Sequence, residues 1–114
     1  MKRFSEGMTG ISGVVVHDGK VHAVAFDPNL EEGISQQTEN ALRYLDELLM
    51  KAGSNKTRLI QATVYLSDIG QKKAMDEVWL NWIGGEENRP QRACVGVDLS
   101  PECLIEIVVV AAEV

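Results

Sequence analysis

The sequence predicts an α+β sandwich in which two helices cover one face of a mostly antiparallel sheet. Three patterns support this fold class. An Asp-Gly pair joins two runs of β-branched residues, two segments repeat apolar residues at helical spacing, and three further segments have strand character. The resulting order is β-β-α-β-α-β-β. A length of 114 residues, with 45% hydrophobic and 25% charged content, suits one domain over residues 1–114.

The first half of the chain is predicted to form a hairpin and then a long helix. In residues 12–26, Asp18-Gly19 is a two-residue turn between two runs rich in valine. Apolar residues then recur at helical spacing over residues 34–52, and Gly53 can supply a left-handed cap. We therefore expect a hairpin over residues 12–26 and a helix over residues 34–52.

The second half is predicted to contain a strand, a helix and two more strands. Residues 59–67 alternate in polarity, which assigns one apolar side of the third strand to Ile60, Ala62, Val64 and Leu66. Asp68 is a candidate cap for the second helix. The apolar stripe of that helix comprises Met75, Val78, Trp79 and Trp82. Gly84-Gly85 ends it, and residues 92–97 and 103–112 are the last predicted strands.

The charge balance argues against a protein that mainly binds nucleic acid, since 11 basic and 17 acidic residues give a net charge of −6. The first seven residues, MKRFSEG, lack the apolar core of a secretion signal, and no run approaches the roughly 20 apolar residues of a membrane span. We therefore expect a cytoplasmic protein that binds neither nucleic acid nor a membrane. In that reducing compartment Cys94 and Cys103 are expected to be free thiols, with a structural cystine as the less favoured alternative.

The last predicted strand is apolar on both faces apart from Glu106. Two helices cover only one face of a sheet, so the other face of this strand must also be shielded from water. Another copy of the same chain is the simplest cover. The sequence therefore predicts an oligomer in which sheets pack toward one another.

Glu106 and Arg92 are the candidate functional pair. A carboxylate in an apolar strand is unfavourable unless it is paired or has a function. If the two C-terminal strands pair antiparallel around Leu99, Arg92 lies opposite Glu106, and Cys94 shares their face. The residues alone leave two interpretations open, a structural ion pair and a functional site.

Two runs of the sequence resemble the signature of the reactive intermediate deaminase family, called Rid or YjgF. They are RPQRACVGV at residues 89–97 and LIEI at residues 104–107. The runs AGS at residues 52–54 and TVYLSD at residues 63–68 also have counterparts in that family. The resemblance extends over nearly the whole chain. It implies a homotrimer with a chorismate-mutase-like fold and ligand clefts at the subunit interfaces.

The resemblance also implies an activity, which is hydrolysis of a 2-imino acid to a 2-keto acid and ammonia. The imino acid would form from an enamine such as 2-aminoacrylate, and no metal or organic cofactor is required. Arg92 matches the residue that holds the substrate carboxylate, for which its planar fork of donors is suited. Glu106 matches the residue that orients or activates water. Backbone groups at Ala93 and Cys94 are expected to contact the ligand.

The chain departs from the best-studied branch of that family in three places. Residues 4–11 contain no tyrosine where that branch has one, Ala25-Phe26-Asp27 stands where it has Ser-Gly-Gln, and Asp76 stands where it has asparagine. These departures indicate a side branch in which the substrate range is narrower, different or lost. Phe26 and Asp27, with residues of a neighbouring chain, are expected to determine selectivity for the substrate side chain.

Several other residues have a simpler interpretation beside a functional one. Asp76 is predicted as an exposed acid on its helix, with a place in a neighbouring subunit's cleft as the alternative. Trp79 and Trp82 are predicted to pack in the core or an interface, although one ring could border the cleft. His17 and His22 are predicted to be surface residues, because no metal-binding partner lies at suitable spacing.

Three functions remain open at this level. The first is an imine or enamine deaminase that uses Arg92 and Glu106. The second is a non-catalytic trimer that binds a small carboxylate metabolite as a sensor or chaperone-like module, for which only Arg92 is needed. The third, a ribonuclease or translation inhibitor, follows an older label of some relatives and fits poorly with an acidic chain that lacks a basic, aromatic groove.

Overall fold

The structure, a computed structural model, describes residues 1–114 as one six-stranded sheet with two helices. The strands are β1 (Lys2–Phe4), β2 (Val14–His17), β3 (Lys20–Phe26), β4 (Leu59–Leu66), β5 (Gln91–Gly96) and β6 (Ile105–Ala112). The helices are α1 (Ile34–Lys51) and α2 (Lys72–Ile83). The sheet order is β1-β2-β3-β6-β4-β5, and every neighbouring pair is antiparallel except β4 and β5. The predicted α+β class is confirmed.

The hairpin formed by β2 and β3 matches its prediction. Asp18 and Gly19 have φ angles of 53° and 79°, the left-handed conformation that a two-residue hairpin turn of this kind requires. The strands pair from His17 opposite Lys20. His17 and His22 are both exposed near this turn, as expected for surface residues.

Both helices pack on one face of the sheet. The buried stripe of α1, the residues Met75, Trp79 and Ile83 of α2, and alternate residues of the strands form one apolar cluster. The end of α1 is set by Gly53, whose φ of 85° lets the next amide, that of Ser54, donate to the Leu49 carbonyl at 2.8 Å. The predicted helix over residues 34–52 is therefore correct to within one residue.

Two local predictions need correction. Asp68 does not cap α2 directly: its carboxylate accepts from the Gly70 amide at 2.9 Å and caps a short 3₁₀ turn, Ile69–Gln71, that precedes the helix. Ile60 is 47% exposed, whereas Leu59 is buried. A bulge at the start of β4 causes this reversal, because the extra residue shifts the alternation by one position.

The predicted pairing of Arg92 with Glu106 across neighbouring strands is wrong. β5 pairs parallel to β4, with Arg92 opposite Ala62, and β6 lies between β3 and β4. The helix α2 connects β4 to β5, and a helical crossover joins parallel strands. β6 takes a central position, which accords with a strand that is apolar on both faces.

The sequence pattern also missed β1, which adds an edge strand before the hairpin. It has only three residues, and because two of them are the cations Lys2 and Arg3, it shows no alternation of apolar residues.

Neither helix combines the length and the apolar composition that a membrane span requires.

The face of the sheet opposite the helices carries apolar side chains that one chain leaves uncovered. Along β6, Ile105 and Ile107 are buried under the helices, whereas Val108 is 36% exposed. Val108 lies beside Val24 of β3, and Val95 at the β5 edge of the same face is 41% exposed. This apolar face is the surface for which the sequence predicts a second copy as cover.

Candidate functional site

A cavity of about 350 Å³ lies at one end of β3 and β6. Glu106 points into it from the face opposite the helices, because its neighbours Ile105 and Ile107 point into the core. Phe26 lies opposite Glu106 on β3 and lines the same cavity. The remaining walls come from the segment after β1, the turn after β3 and the loop before β6, and include Met8, Asp27, Pro101 and Cys103.

Glu106 is the only acidic residue in any of the six strands. It takes part in none of the three ion pairs of the chain, which join Lys51 to Glu6 and Asp76 to Lys72 and Arg92. A half-buried carboxylate without a cationic partner, facing a cavity whose lining is half hydrophobic, is available to a ligand or a water molecule.

Asp27 shapes the turn that lines this cavity. Its carboxylate is fully buried and accepts hydrogen bonds from the amides of Asn29 and Glu31 and from the side chain of Asn40, at 2.8, 2.9 and 3.1 Å. These three donors already satisfy much of the acceptor capacity of the carboxylate. Asp27 therefore has a clear structural role in this turn, and its role in substrate binding stays a prediction.

Gln37 fixes the loop on the other side of the cavity, and the sequence reasoning missed it. Its amide nitrogen donates to the carbonyls of Glu31 and Glu102 at 2.8 and 2.7 Å, and its amide oxygen accepts from the Leu104 amide at 2.9 Å. The side chain is 1% exposed. The available signal was a polar residue on the buried stripe of a helix, three positions after Ile34.

Arg92 lies on the other face of the sheet, against α2. Its Nη2 donates to the Asp76 carboxylate at 2.6 Å, its guanidinium lies 5.1 Å from the centre of the Trp79 ring, and Nη1 lies 3.7 Å from the Met75 sulfur. The carboxylate partner of Arg92 within the chain is thus Asp76. The prediction of Asp76 as a simply exposed acid is wrong, since its side chain is 30% exposed and ion-paired.

Asp76 also binds Lys72, four residues earlier on α2, through its second oxygen at 2.8 Å. Burial raises the pKa of Asp76, but the hydrogen bonds from Lys72 and Arg92 outweigh burial and hold that pKa below its ordinary value. Asp76 is therefore a carboxylate at neutral and mildly acidic pH.

The two cysteines are free thiols and lie apart. Cys94 shares the face of Arg92, and burial raises the pKa of its thiol although Arg92 opposes that effect. Cys103 lines the cavity of Glu106, its thiol donates to the Ile105 carbonyl at 3.4 Å, and burial raises its pKa as well. Both groups are thiols at neutral pH, which does not favour nucleophilic roles.

The predicted site residues thus form two groups within one chain. Glu106, Phe26 and Asp27 lie at the cavity, whereas Arg92 and Cys94 on β5 share the face of Asp76 and Trp79 on α2. The side chain of Ala93, between Arg92 and Cys94, points to the opposite face. Arg92 is opposite Ala62, Ala62 is opposite Val109, and Glu106 lies three residues from Val109 along β6. The separation is about 10 Å across the strands and about 10 Å along them, and the two side chains point to opposite faces.

Replacing Asp76 with Asn is expected to lower stability in a pH-dependent manner. The lowered pKa of Asp76 in the folded chain stabilises the fold above the ordinary carboxyl pKa, and this contribution disappears as pH falls through the folded value. Solvent screening limits the loss at pH 7 to about 1 kcal/mol. The free energies of urea unfolding of the native chain and Asp76→Asn should differ at pH 7, and the difference should shrink as the pH falls below the ordinary carboxyl pKa. Glu77 is an exposed acid on the same helix, so Glu77→Gln is the matched control; a difference that stays constant from pH 7 into the acidic range would contradict the expectation.

Comparison with known proteins gives a consistent group of relatives. The chain matches a family model described as Endoribonuclease L-PSP over residues 1–113. It is 34% identical over 102 residues to the RutC family protein YoaB of Escherichia coli strain K12, with 89% of each chain covered. It is 31% identical over 104 residues to a RutC family protein of Haemophilus influenzae, again with 89% of each covered. It is also similar to the crystal structure of NMB1025, a member of the YjgF protein family from Neisseria meningitidis, with a TM-score of 0.91, 30% identity, and coverage of 99% of this chain and 94% of that one.

Proposed function

We propose, since this chain belongs to the YjgF or Rid family, that it hydrolyses 2-imino acids to 2-keto acids and ammonia. The observation that carries the proposal is the carboxylate of Glu106, which lacks an ion-pair partner and faces a cavity of about 350 Å³. A cavity of that volume is at the small end of ligand pockets and suits a metabolite of a few carbon atoms.

Arg92 is the proposed anchor for the substrate carboxylate. A guanidinium presents five N–H donors in a rigid fork, and Asp76 engages only Nη2. The Arg92 side chain is 18% exposed, and Arg92 lines a cavity of about 260 Å³ at the β5 edge of the sheet. A charge-assisted, two-point contact there would fix the orientation of a 2-imino acid.

Glu106 is the proposed catalytic residue for the attack of water. It accepts a proton as the water oxygen bonds to the imine carbon, while the C=N electron pair moves to nitrogen, which takes a proton from solvent. The carboxyl then returns its proton to nitrogen, ammonia leaves as the carbonyl forms, and the hydroxyl proton goes to solvent. One imine and one water thus give one keto acid and one ammonia, and every step uses groups of the chain, the substrate or solvent.

The complete site is proposed to lie between two copies of the chain in a homotrimer. Arg92 and Glu106 point to opposite faces of their own sheet, so one chain alone does not bring them together. The exposed apolar face around Val108 supports association of sheets. A head-to-tail contact repeated three times would place the Arg92 group of one copy against the Glu106 cavity of the next.

The description of the family as an endoribonuclease raises a second candidate, cleavage of RNA. The charge of −6 opposes binding to a phosphate backbone. His17 and His22, the only histidines, are exposed beside the hairpin turn, at the end of β3 away from Phe26 and the cavity. We therefore favour the deaminase.

The test generates 2-iminopropionate in situ from alanine with an amino acid oxidase and follows the release of pyruvate. The native chain is expected to accelerate release over the spontaneous reaction, and heat-denatured chain provides the control. If several imino acids show no acceleration but pyruvate binds saturably, the chain is a metabolite-binding module. Cleavage of a labelled RNA without acceleration of imine hydrolysis would support the endoribonuclease instead.

A further inference from the structure

Arg92 already holds a carboxylate of its own chain. The two oxygens of Asp76 bind different cations, Oδ1 to Nη2 of Arg92 at 2.6 Å and Oδ2 to Nζ of Lys72 at 2.8 Å. The side chains of Arg92 and Asp76 are only 18% and 30% exposed, so solvent screens their attraction incompletely. Lys72 is 48% exposed and is the more solvated partner.

The contact with Asp76 falls on the nitrogen that matters most for binding a second carboxylate. Nη2 contributes one hydrogen to each of the two two-nitrogen edges of a guanidinium, so the hydrogen that Asp76 binds is lost to one of those edges. A substrate carboxylate must use the remaining edge beside a like charge or displace Asp76. The other contacts of Arg92, the Trp79 ring and the Met75 sulfur, carry no negative charge.

We propose that Asp76 is an internal competitor for the Arg92 guanidinium and determines how strongly, and with what total charge, a carboxylate ligand is bound. The proposal rests on the proposed role of Arg92 as substrate anchor and names a residue that sets specificity at that site. Lys72 limits the competition because it binds Oδ2 of Asp76, which leaves only Oδ1 for Arg92. The competition persists over the physiological pH range, because Asp76 stays ionised there.

A purely positioning role for Asp76 gives the opposite expectation. If the ion pair mainly holds Arg92 in the orientation that binds substrate, then removing the charge of Asp76 lets the guanidinium move and weakens binding. If Asp76 competes, removing its charge strengthens binding. The sign of the change in affinity therefore separates the two roles.

The experiment measures binding of pyruvate, 2-ketoglutarate and the neutral analogue pyruvamide by calorimetry at pH 7. Asp76→Asn is expected to bind pyruvate about tenfold more tightly, because a competing charge-assisted hydrogen bond is removed. 2-Ketoglutarate, which carries two negative charges, is expected to gain more than pyruvate, and pyruvamide to gain nothing. Glu77→Gln removes the same charge from an exposed position of the same helix and is expected to leave all three affinities unchanged.

A second variant tests whether stronger competition by Asp76 weakens the binding of pyruvate. Lys72→Met leaves Asp76 without its other partner and is expected to weaken pyruvate binding, and as a half-exposed surface change it should not disturb folding. The gain of Asp76→Asn should also vanish when Arg92→Ala is added. Unchanged or weaker pyruvate binding by Asp76→Asn would overturn the proposal, as would equal gains for all three ligands.

The results of this experiment distinguish a failure of the Asp76 proposal from a failure of the proposed function. Tighter pyruvate binding by Asp76→Asn, without any imine hydrolysis by the native chain, would reject the deaminase and retain Asp76 as the competitor. Imine hydrolysis by the native chain, with unchanged affinities in Asp76→Asn, would retain the deaminase and reject the competitor.

Discussion

The variants Glu106→Gln and Arg92→Ala are each expected to lose at least about a hundredfold of imine hydrolysis, the lower range for removal of a general base or a charged anchor. An equimolar mixture of the two inactive chains is expected to recover about a quarter of the native rate. The recovery follows because a site shared by neighbouring copies is intact when Arg92 comes from one variant and Glu106 from the other, which random assembly gives in about one site of four.

Three controls make this complementation decisive. The two chains carry different tags and are refolded together, so that mixed oligomers can be isolated before the assay. The double variant Arg92→Ala/Glu106→Gln is expected to be inactive alone and to give no recovery with either single variant. Isolated mixed oligomers without activity would contradict the shared site, and so would a monomeric native chain by light scattering.

Gln37→Ala is expected to destabilise the fold by about 3 kcal/mol, since it removes hydrogen bonds from a buried position and leaves an amide and two carbonyls without their partner. The loop from Ser100 to Cys103 should then exchange its amide hydrogens faster. Because this loop lines the cavity of Glu106, we also expect weaker pyruvate binding. Urea unfolding and hydrogen exchange measure the first two effects.

Gln36→Ala is the matched control, because Gln36 precedes Gln37 on α1, is exposed and makes one side-chain hydrogen bond. Its expected change in stability is within about 0.5 kcal/mol. Gln37→Glu keeps the size of the side chain but replaces a double donor with an acceptor. Equal stability of the Gln36 and Gln37 variants would show that the loop is held by other contacts.

The sequence predicted those parts of the fold that are determined locally. The hairpin depends on two residues at Asp18-Gly19 with left-handed backbone, and α1 depends on a regular apolar stripe closed by Gly53. The start of β4 was mispredicted because a bulge changes the alternation that assigns faces, and β1 was missed because two of its three residues are cationic. Neither the bulge in β4 nor the short strand β1 produces a periodic pattern of apolar residues in the sequence.

The residues of the candidate site were easier to predict than their arrangement. Arg92 and Glu106 were identified from residue type and from the resemblance, but their pairing required the strand order, which depends on contacts between distant segments. An antiparallel pair and a parallel crossover are both compatible with the pattern of β5 and β6. The ion pair of Arg92 with Asp76 was missed for the same reason, since α2 passes over β5 only after the crossover has formed.

The central position of β6 has a consequence for the order of events during synthesis. β6 emerges from the ribosome after every other strand, yet it alone joins the β1-β2-β3 half of the sheet to the β4-β5 half. Until then the nascent chain carries two incomplete sheets with unpaired edges at β3 and β4, which are sites for mispairing with other chains. The interval in which residues 59–104 have emerged and β6 has not is therefore when a chaperone that shields strand edges would protect this chain most.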